Sequence, residues 1–251
     1  MGRASLLLLA GTAEATELAG RLVAAGEIDV LASLAGRTRS PAPLPCPVRT
    51  GGFGGVDGLA AELQRGRFSL VVDATHPFAD ERPYHAAAAA ARVGLPRLRL
   101  VRPPWLPEPG DVWHPVPDLA AAVECLEALG ARRVLLTVGR QELALFAAAA
   151  SAGIGFVVRS IDPPPADVLP GATVVLARPP FTVASEAALL RDHAVDAVVS
   201  RNSGGAVTAP KLAAARAAAV PVVMVERPPA PAGPTAATAD EALAWVAATV
   251  S

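Results

Sequence analysis

The stretch Leu70-Val71-Val72-Asp73-Ala74-Thr75-His76-Pro77-Phe78-Ala79 decides the fold, because an apolar run stops at Asp73, Thr75 and His76 and a proline follows. A strand buried on both faces of a parallel sheet reads this way, and it delivers its polar groups at the rim of the sheet. Pro77 suits the first turn of a helix, where its missing N–H costs nothing, so His76 is expected at the cap and a helix is expected to run on into Tyr84–Val93. Ligands of open α/β sheets bind beyond the carboxyl ends of the strands, which makes Asp73–Phe78 the expected lining of a cleft. The same residue types also serve as plain caps and turn braces, and both readings stand at this point.

Upstream, Ala4–Ala10 is an apolar strand that enters Gly11-Thr12-Ala13-Glu14 and a helix with apolar positions Leu18, Leu22 and Val23. Such a turn aims backbone N–H groups and the positive end of a helix dipole at whatever lies above the strand, which suits a phosphate. The three-glycine dinucleotide fingerprint is absent. The next strand, Ile28–Ser33, leads into Leu34-Ala35-Gly36-Arg37-Thr38-Arg39-Ser40, where an NAD site would carry an acid and an NADP site basic and hydroxyl groups. No acid is present, and Ser33, Arg37, Thr38 and Arg39 make a set of charge-assisted phosphate partners. Beyond Val48-Arg49-Thr50, the cluster Gly51-Gly52-Phe53-Gly54-Gly55 permits close approach of a ligand to the backbone and offers the Phe53 ring to a flat partner. A helix at Leu59–Leu63, the opening strand and a strand at Arg97–Val101 complete the first half.

Arg102–Pro117 is dense in proline and reads as a stiff connector, with Trp105 and Trp113 as packing anchors. Domains are accordingly expected at residues 1–112 and 113–251. The second half repeats the scheme: a helix at Leu119–Leu129, then the strand Arg133–Val138 with Gly139-Arg140-Gln141-Glu142. Strands at Phe156–Arg159 and Thr173–Ala177 follow, and a helix Val183–Arg191 capped by Thr182. The strand Val195–Val199 enters Ser200-Arg201-Asn202-Ser203-Gly204-Gly205, read as the start of a helix carrying Lys211. Together with the helix dipole, that set suits carboxylates or phosphates. Pro221–Val225 is a final strand, Ala230–Thr238 a tether and Glu241–Val250 a terminal helix. The fold class is α/β: two Rossmann-like lobes with mainly parallel sheets and an intervening cleft.

A chain of 251 residues with 52% hydrophobic residues and a net charge of −1 has no sequence-wide basic field for nucleic acid or an anionic membrane. No apolar run reaches the roughly 18 residues of a membrane helix. Cys46 and Cys125 lack disulfide or metal-ligand spacing, so no metal is expected, and the expected location is cytoplasmic. Lys211 is the only lysine among 22 basic residues, and the arginine excess lowers the weight of any single arginine. Nucleophile-elbow, P-loop and HExxH patterns are absent. Hydride transfer, which asks few groups of the protein because the cofactor carries the chemistry, fits a site of glycines, hydroxyls and arginines. A transferase on a nucleotide-linked substrate, or a nucleotide sensor without turnover, would look similar.

Five motifs stand in the order and spacing of one family: Gly11-Thr12-Ala13-Glu14-Ala15, Ser33-Leu34-Ala35-Gly36-Arg37-Thr38, the phenylalanine-centred glycine cluster, Asp73-Ala74-Thr75-His76-Pro77-Phe78-Ala79, and Asn202-Ser203-Gly204-Gly205. Over essentially its whole length the chain resembles the precorrin-6A reductases. Ala10 departs from a frequent glycine, and Arg201 stands where lysine is common. The resemblance implies reduction of one macrocycle double bond by NADPH, giving precorrin-6B in cobalamin biosynthesis. The alternatives are the cobalt-precorrin-6A reaction of the oxygen-independent route and a non-catalytic nucleotide-binding module. Cofactor contacts are then expected from Gly11, Thr12, Glu14, Ser33, Arg37, Thr38, Arg39, Gly52, Phe53, Gly54, Asp73, Thr75 and His76. Contacts to a tetrapyrrole substrate are expected from Phe78, Arg140, Ser200, Arg201, Asn202, Ser203, Gly204, Gly205 and Lys211. His76 is the one candidate proton donor, and the expected assembly is a monomer or small homo-oligomer.

Overall fold

The computed structural model describes residues 3–36 and 43–250, arranged as two compact units. The chain first lays down β1 (Ser5–Leu9), α1 (Ala13–Ala25), β2 (Asp29–Leu34), β3 (Val48–Thr50), α2 (Gly55–Arg65), β4 (Leu70–Asp73), α3 (Arg82–Val93) and β5 (Arg97–Leu100). It continues with β6 (Trp113–Val116), α4 (Leu119–Ala128) and β7 (Arg133–Leu136). A 3-10 turn at Arg140–Phe146 leads to α5 (Ala147–Ser151), then β8 (Gly155–Ser160), β9 (Thr173–Leu176), α6 (Val183–Asp192) and β10 (Ala197–Arg201). Last come α7 (Pro210–Ala217), β11 (Val222–Val225), β12 (Thr235–Ala236) and α8 (Ala239–Val250).

All strands pair in parallel, in two sheets of six with orders β12-β5-β4-β1-β2-β3 and β6-β11-β10-β7-β8-β9. Alternation along the first sheet explains its continuous apolar strands. Leu6, Leu8, Val72, Leu98 and Leu100 pack on one face with Leu18 and Leu22 of α1 and with Ala242 and Val246 of α8. Leu7, Leu9 and Val71 pack on the other with Leu59 and Leu63 of α2 and Ala86 and Ala90 of α3. Each side chain therefore meets a helix, whichever way it points.

The two orders are the same pattern, and in each the sixth strand is an edge strand outside the run of the other five: β6 precedes its five partners, and β12 follows only after the whole second unit. After β5, where a plain doubly wound fold would add its own sixth strand and helix, the chain crosses into the second unit and gives β6 and α4 to that sheet. After β11 it crosses back and gives β12 and α8 to the first. The compact units are accordingly Met1–Pro103 with Pro228–Ser251, and Pro104–Arg227. This differs from an expectation of contiguous domains 1–112 and 113–251. The reason is physical: α8 supplies Ala239, Ala242 and Val246 to cover the face of Leu98 and Leu100. The segment read as a tether thus holds β12, and the proline-rich connector holds β6.

Among the described residues no helix is long and apolar enough to cross a membrane. Cys46 and Cys125 are free thiols.

Candidate functional site

Strand order in the first sheet reverses at β1, whose two neighbours β2 and β4 lie on opposite sides, and a parallel sheet binds its ligand at such a switch point. The turns after β1 and β4 meet there. Thr12 caps α1, its Oγ1 accepting the Ala15 N–H at 3.2 Å, and the same hydroxyl donates to the Ala74 carbonyl at 3.2 Å. A Cβ on Gly11 would lie 3.8 Å from His76 N, an ordinary contact, so no protein atom demands glycine at that position.

Asp73 ends β4 fully buried; its Oδ1 accepts the Thr75 N–H at 3.1 Å and the Thr75 hydroxyl at 2.6 Å. Its Oδ2 has no partner. Pro77 does not open a helix. Residues 74–81 form a turn in which His76 Nδ1 accepts the Phe78 N–H at 3.2 Å and the His76 carbonyl accepts the Ala79 N–H at 2.8 Å. The helix starts at Arg82, with Pro83 in its first turn, so His76 braces a turn rather than capping a helix. Its bonded Nδ1 is therefore unprotonated, leaving Nε2 as the ring N–H.

A shallow pocket, open to solvent, lies beyond these strand ends. Ser33, Gly52, Phe53 and Thr75, all expected in the site, line it together with Leu9, Gly51, Gly55, Leu59, Arg82 and His85. Side chains added at Gly51, Gly52, Gly54 or Gly55 would meet nothing within 4 Å, so the loop turns bare backbone toward open space. The loop is held by Arg49, which sequence reasoning missed. Its Nη1 donates to Ser33 Oγ at 2.9 Å and to the Gly51 carbonyl at 3.2 Å, and its Nη2 donates to the Gly52 carbonyl at 3.1 Å. Its guanidinium lies 3.8 Å from the centre of the Phe53 ring. An apolar slot with a ring wall, exposed glycine backbone and hydroxyls at both ends fits the adenosine part of a dinucleotide.

The remaining expected cofactor residues divide. Glu14 is engaged with Arg102 at 2.8 Å, both side chains largely buried. Gly54 takes a left-handed φ of 82° at the start of α2. Arg37, Thr38 and Arg39 lie outside the described residues.

In the second unit, the Ser200–Gly205 segment follows β10, but the helix it was expected to open begins only at Pro210. The glycine pair, with φ of 68° and 84°, shapes the intervening loop instead. Two arms grip that loop. The Asn202 amide bonds the Trp105 backbone in both directions, accepting its N–H at 2.7 Å and donating to its carbonyl at 3.1 Å, while the Trp105 indole donates to the Gly205 carbonyl at 2.9 Å. Arg227 donates to the carbonyls of Asn202 and Ser203 at 2.8 and 2.9 Å. Lys211 is buried, 5% exposed, with Nζ donating to the Thr208 carbonyl at 3.1 Å and standing 4.6 Å over the Trp105 ring. Ser200 is buried and Arg201 pairs with Glu142. Arg140 and Arg178 flank Asp162 at 3.8 and 3.7 Å. Phe78 stays in the first unit, its ring 6.0 Å from that of His76.

Arg82 and His85, three apart on one face of α3, are placed at the pocket only once the helix start is known, and Arg49 is placed beside Ser33 only once the β2–β3 register is known.

The chain as a whole is similar to known proteins. A precorrin-6A reductase of Rhodococcus erythropolis is 47% identical over 244 residues, 96% of each chain. One of a Sinorhizobium species is 46% identical over 98% of this chain and 94% of its own. A solved structure described as "CobK precorrin-6A reductase" superposes with a TM-score of 0.91 at 43% identity, covering 98% of this chain and 97% of that one. The profile of the family described as "Precorrin-6x reductase CbiJ/CobK" matches residues 5–247, and the chain belongs to that family.

Proposed function

We propose that the chain reduces one double bond of precorrin-6A with NADPH, giving precorrin-6B. Besides family membership, one observation carries the cofactor half of this reading: the pocket at the switch point of the first sheet, where Ser33, the glycine loop with Phe53, and Thr75 meet. With its adenosine end held there, the cofactor would supply a hydride from its nicotinamide to a macrocycle carbon, with a proton delivered to the adjacent carbon. The protein's part is to bind and orient. Thr12 and Thr75 fix the turns at which the diphosphate and the nicotinamide ribose would lie, and Leu9, Phe53 and Leu59 exclude water from the base. The absence of an acid in the sequence from Leu31 to Ser40 removes the usual partner of an NAD ribose and the usual repulsion of a 2′-phosphate.

The substrate's many carboxylates are assigned to the cationic groups at the strand ends of the second unit, chiefly Arg140 and Arg201, each ion-paired at present with an acid that a substrate carboxylate would have to displace or join. Lys211 is better described as holding the Trp105 side of the 202–205 loop, given its burial. His76 stays the candidate proton donor; it would act as an imidazolium, which requires its Nδ1 to release the Phe78 N–H that it accepts.

Mixing the protein with precorrin-6A and NADPH should consume the absorbance of reduced nicotinamide in proportion to substrate. Turnover with the cobalt-containing analogue alone would move the protein to the oxygen-independent branch, and NADPH binding without oxidation would favour a nucleotide sensor.

A further inference from the structure

Arg49 is committed on one side and open on the other. A guanidinium carries five N–H bonds. Both Nη1 hydrogens are taken, by Ser33 Oγ and the Gly51 carbonyl, and one Nη2 hydrogen by the Gly52 carbonyl. The Nε–H and the second Nη2–H donate to none of the described residues, and these two form the side-on edge of the fork, the edge that matches two oxygens of a phosphate. The Phe53 ring beneath the guanidinium, at 3.8 Å, restricts its tilt. Ser33 Oγ accepts from Arg49, so its own hydroxyl hydrogen is left to donate, and Ser33 is only 4% exposed.

The register puts this group at a meaningful place. Ser33 pairs with Arg49 at the carboxyl ends of β2 and β3, and the end of β2 is where dinucleotide folds read the adenosine ribose. We propose that Arg49, with Ser33, binds the 2′-phosphate of the nucleotide, and so sets the preference for NADPH over NADH. The assignment rests on the NADPH reading above and sharpens it. The phosphate contact comes from β3, a strand after the loop in which such contacts are usually sought. Arg49 also pins the carbonyls of Gly51 and Gly52, so the residue that would meet the phosphate shapes the pocket's wall as well.

The test uses the adenosine end alone, which separates it from turnover. Dissociation constants of adenosine 2′,5′-bisphosphate and 5′-AMP are measured by calorimetry on the full chain, for wild type, Arg49→Met, Arg49→Lys and Ser33→Ala. Wild type is expected to prefer the bisphosphate at least tenfold. Arg49→Met should reduce that preference about ten- to a hundredfold, Arg49→Lys should restore part of it, and Ser33→Ala should reduce it severalfold. Preference is read as a ratio, so a general loosening of the loop, which weakens both ligands alike, leaves it unchanged and overturns the assignment. A wild type that binds both ligands equally would sink the NADPH reading itself. A strong wild-type preference retained in both Arg49→Met and Ser33→Ala would leave that reading intact and transfer the phosphate to other residues. If Arg49→Met does not fold, Ser33→Ala and the wild-type pH profile decide. The preference should grow as pH rises through the second phosphate ionisation, near about 6, and a flat profile with an unaffected Ser33→Ala overturns the proposal.

Discussion

Asp73 shows how much a single buried carboxylate organises. Oδ1 holds both polar hydrogens of Thr75, a pocket-lining residue, and on the neighbouring strand Arg99 stands beside it in register. Arg97 lies near enough for the Asp73 charge to oppose the downward push that burial exerts on its guanidinium pKa. Replacing Asp73 by alanine removes two charge-assisted bonds, leaving Thr75 without its acceptor and the buried Arg97 guanidinium without the negative charge that offsets its burial. The expected loss is roughly 2–4 kcal/mol in a urea titration, with Asp73→Asn, which keeps an acceptor, costing less. Equal losses for the two variants would contradict this account. A second residue-scale prediction comes from the sequence. If Arg37 adds a charge-assisted contact to the 2′-phosphate, Arg37→Ala should weaken NADPH about ten- to a hundredfold, equivalent to roughly 1.5–3 kcal/mol, and leave NADH nearly unchanged. An equal fall for both cofactors would make Arg37 structural. Ser33 and Thr75 were legible in the sequence because each ends or follows an apolar run, and Phe53 because four glycines surround it. Arg49 was not, since its importance comes from facing Ser33 across a strand pair.

Elements were legible where burial is local. Continuous runs such as Leu70–Val72 announce strands sandwiched by helices, and Thr182 announced the start of α6, where its Oγ1 accepts the Ser185 N–H at 3.1 Å. The start of α3 was misplaced by five residues, because Pro77 satisfies the rule for a first helical turn and so does Pro83; only the bonds of the 76–79 turn decide between them. The strands β6 and β12 were missed altogether, as each is short and exists through pairing with a distant strand. Element docking supplies its own prediction. Glu186 of α6 is 3% exposed and bound to Arg159 of β8, whose guanidinium also lies 4.0 Å from the centre of the Phe181 ring. Glu186→Ala strands a buried cation between helix and sheet. A cost of roughly 3–5 kcal/mol is expected, and thermal melts of Glu186→Ala and of the double variant Glu186→Ala/Arg159→Met should show the second recovering much of the loss. No recovery would mean that the pair contributes through packing alone.

At the scale of the whole molecule, the first unit is not a continuous piece of chain: its two stretches, Met1–Pro103 and Pro228–Ser251, are separated by the whole of the second, Pro104–Arg227. A variant ending at Arg227 keeps every strand of the second sheet but takes β12 and α8 from the first, uncovering Leu98, Leu100 and Leu22. The first unit is expected to lose its cooperative melt and become the preferred target of limited proteolysis while the second stays protected; protection of both would show that β12 and α8 are dispensable. During synthesis the same arrangement imposes an order of events. The ribosome delivers β1 to β5 early, yet the strand that closes their sheet arrives only after the entire second unit has been made, at a pace of about 5–20 residues per second. Throughout that interval β5 is an open edge, the kind of surface on which nascent chains pair wrongly. Its sequence, Arg97-Leu98-Arg99-Leu100, puts a positive charge at every second position. Two cations on a waiting edge discourage the stacking of another strand until the right one arrives. When it does, Arg97 Nη2 donates to the Ala232 carbonyl at 2.8 Å, beside Gly233, where any side chain would collide with it. The guard of the unfinished sheet thereby becomes the latch of the finished one.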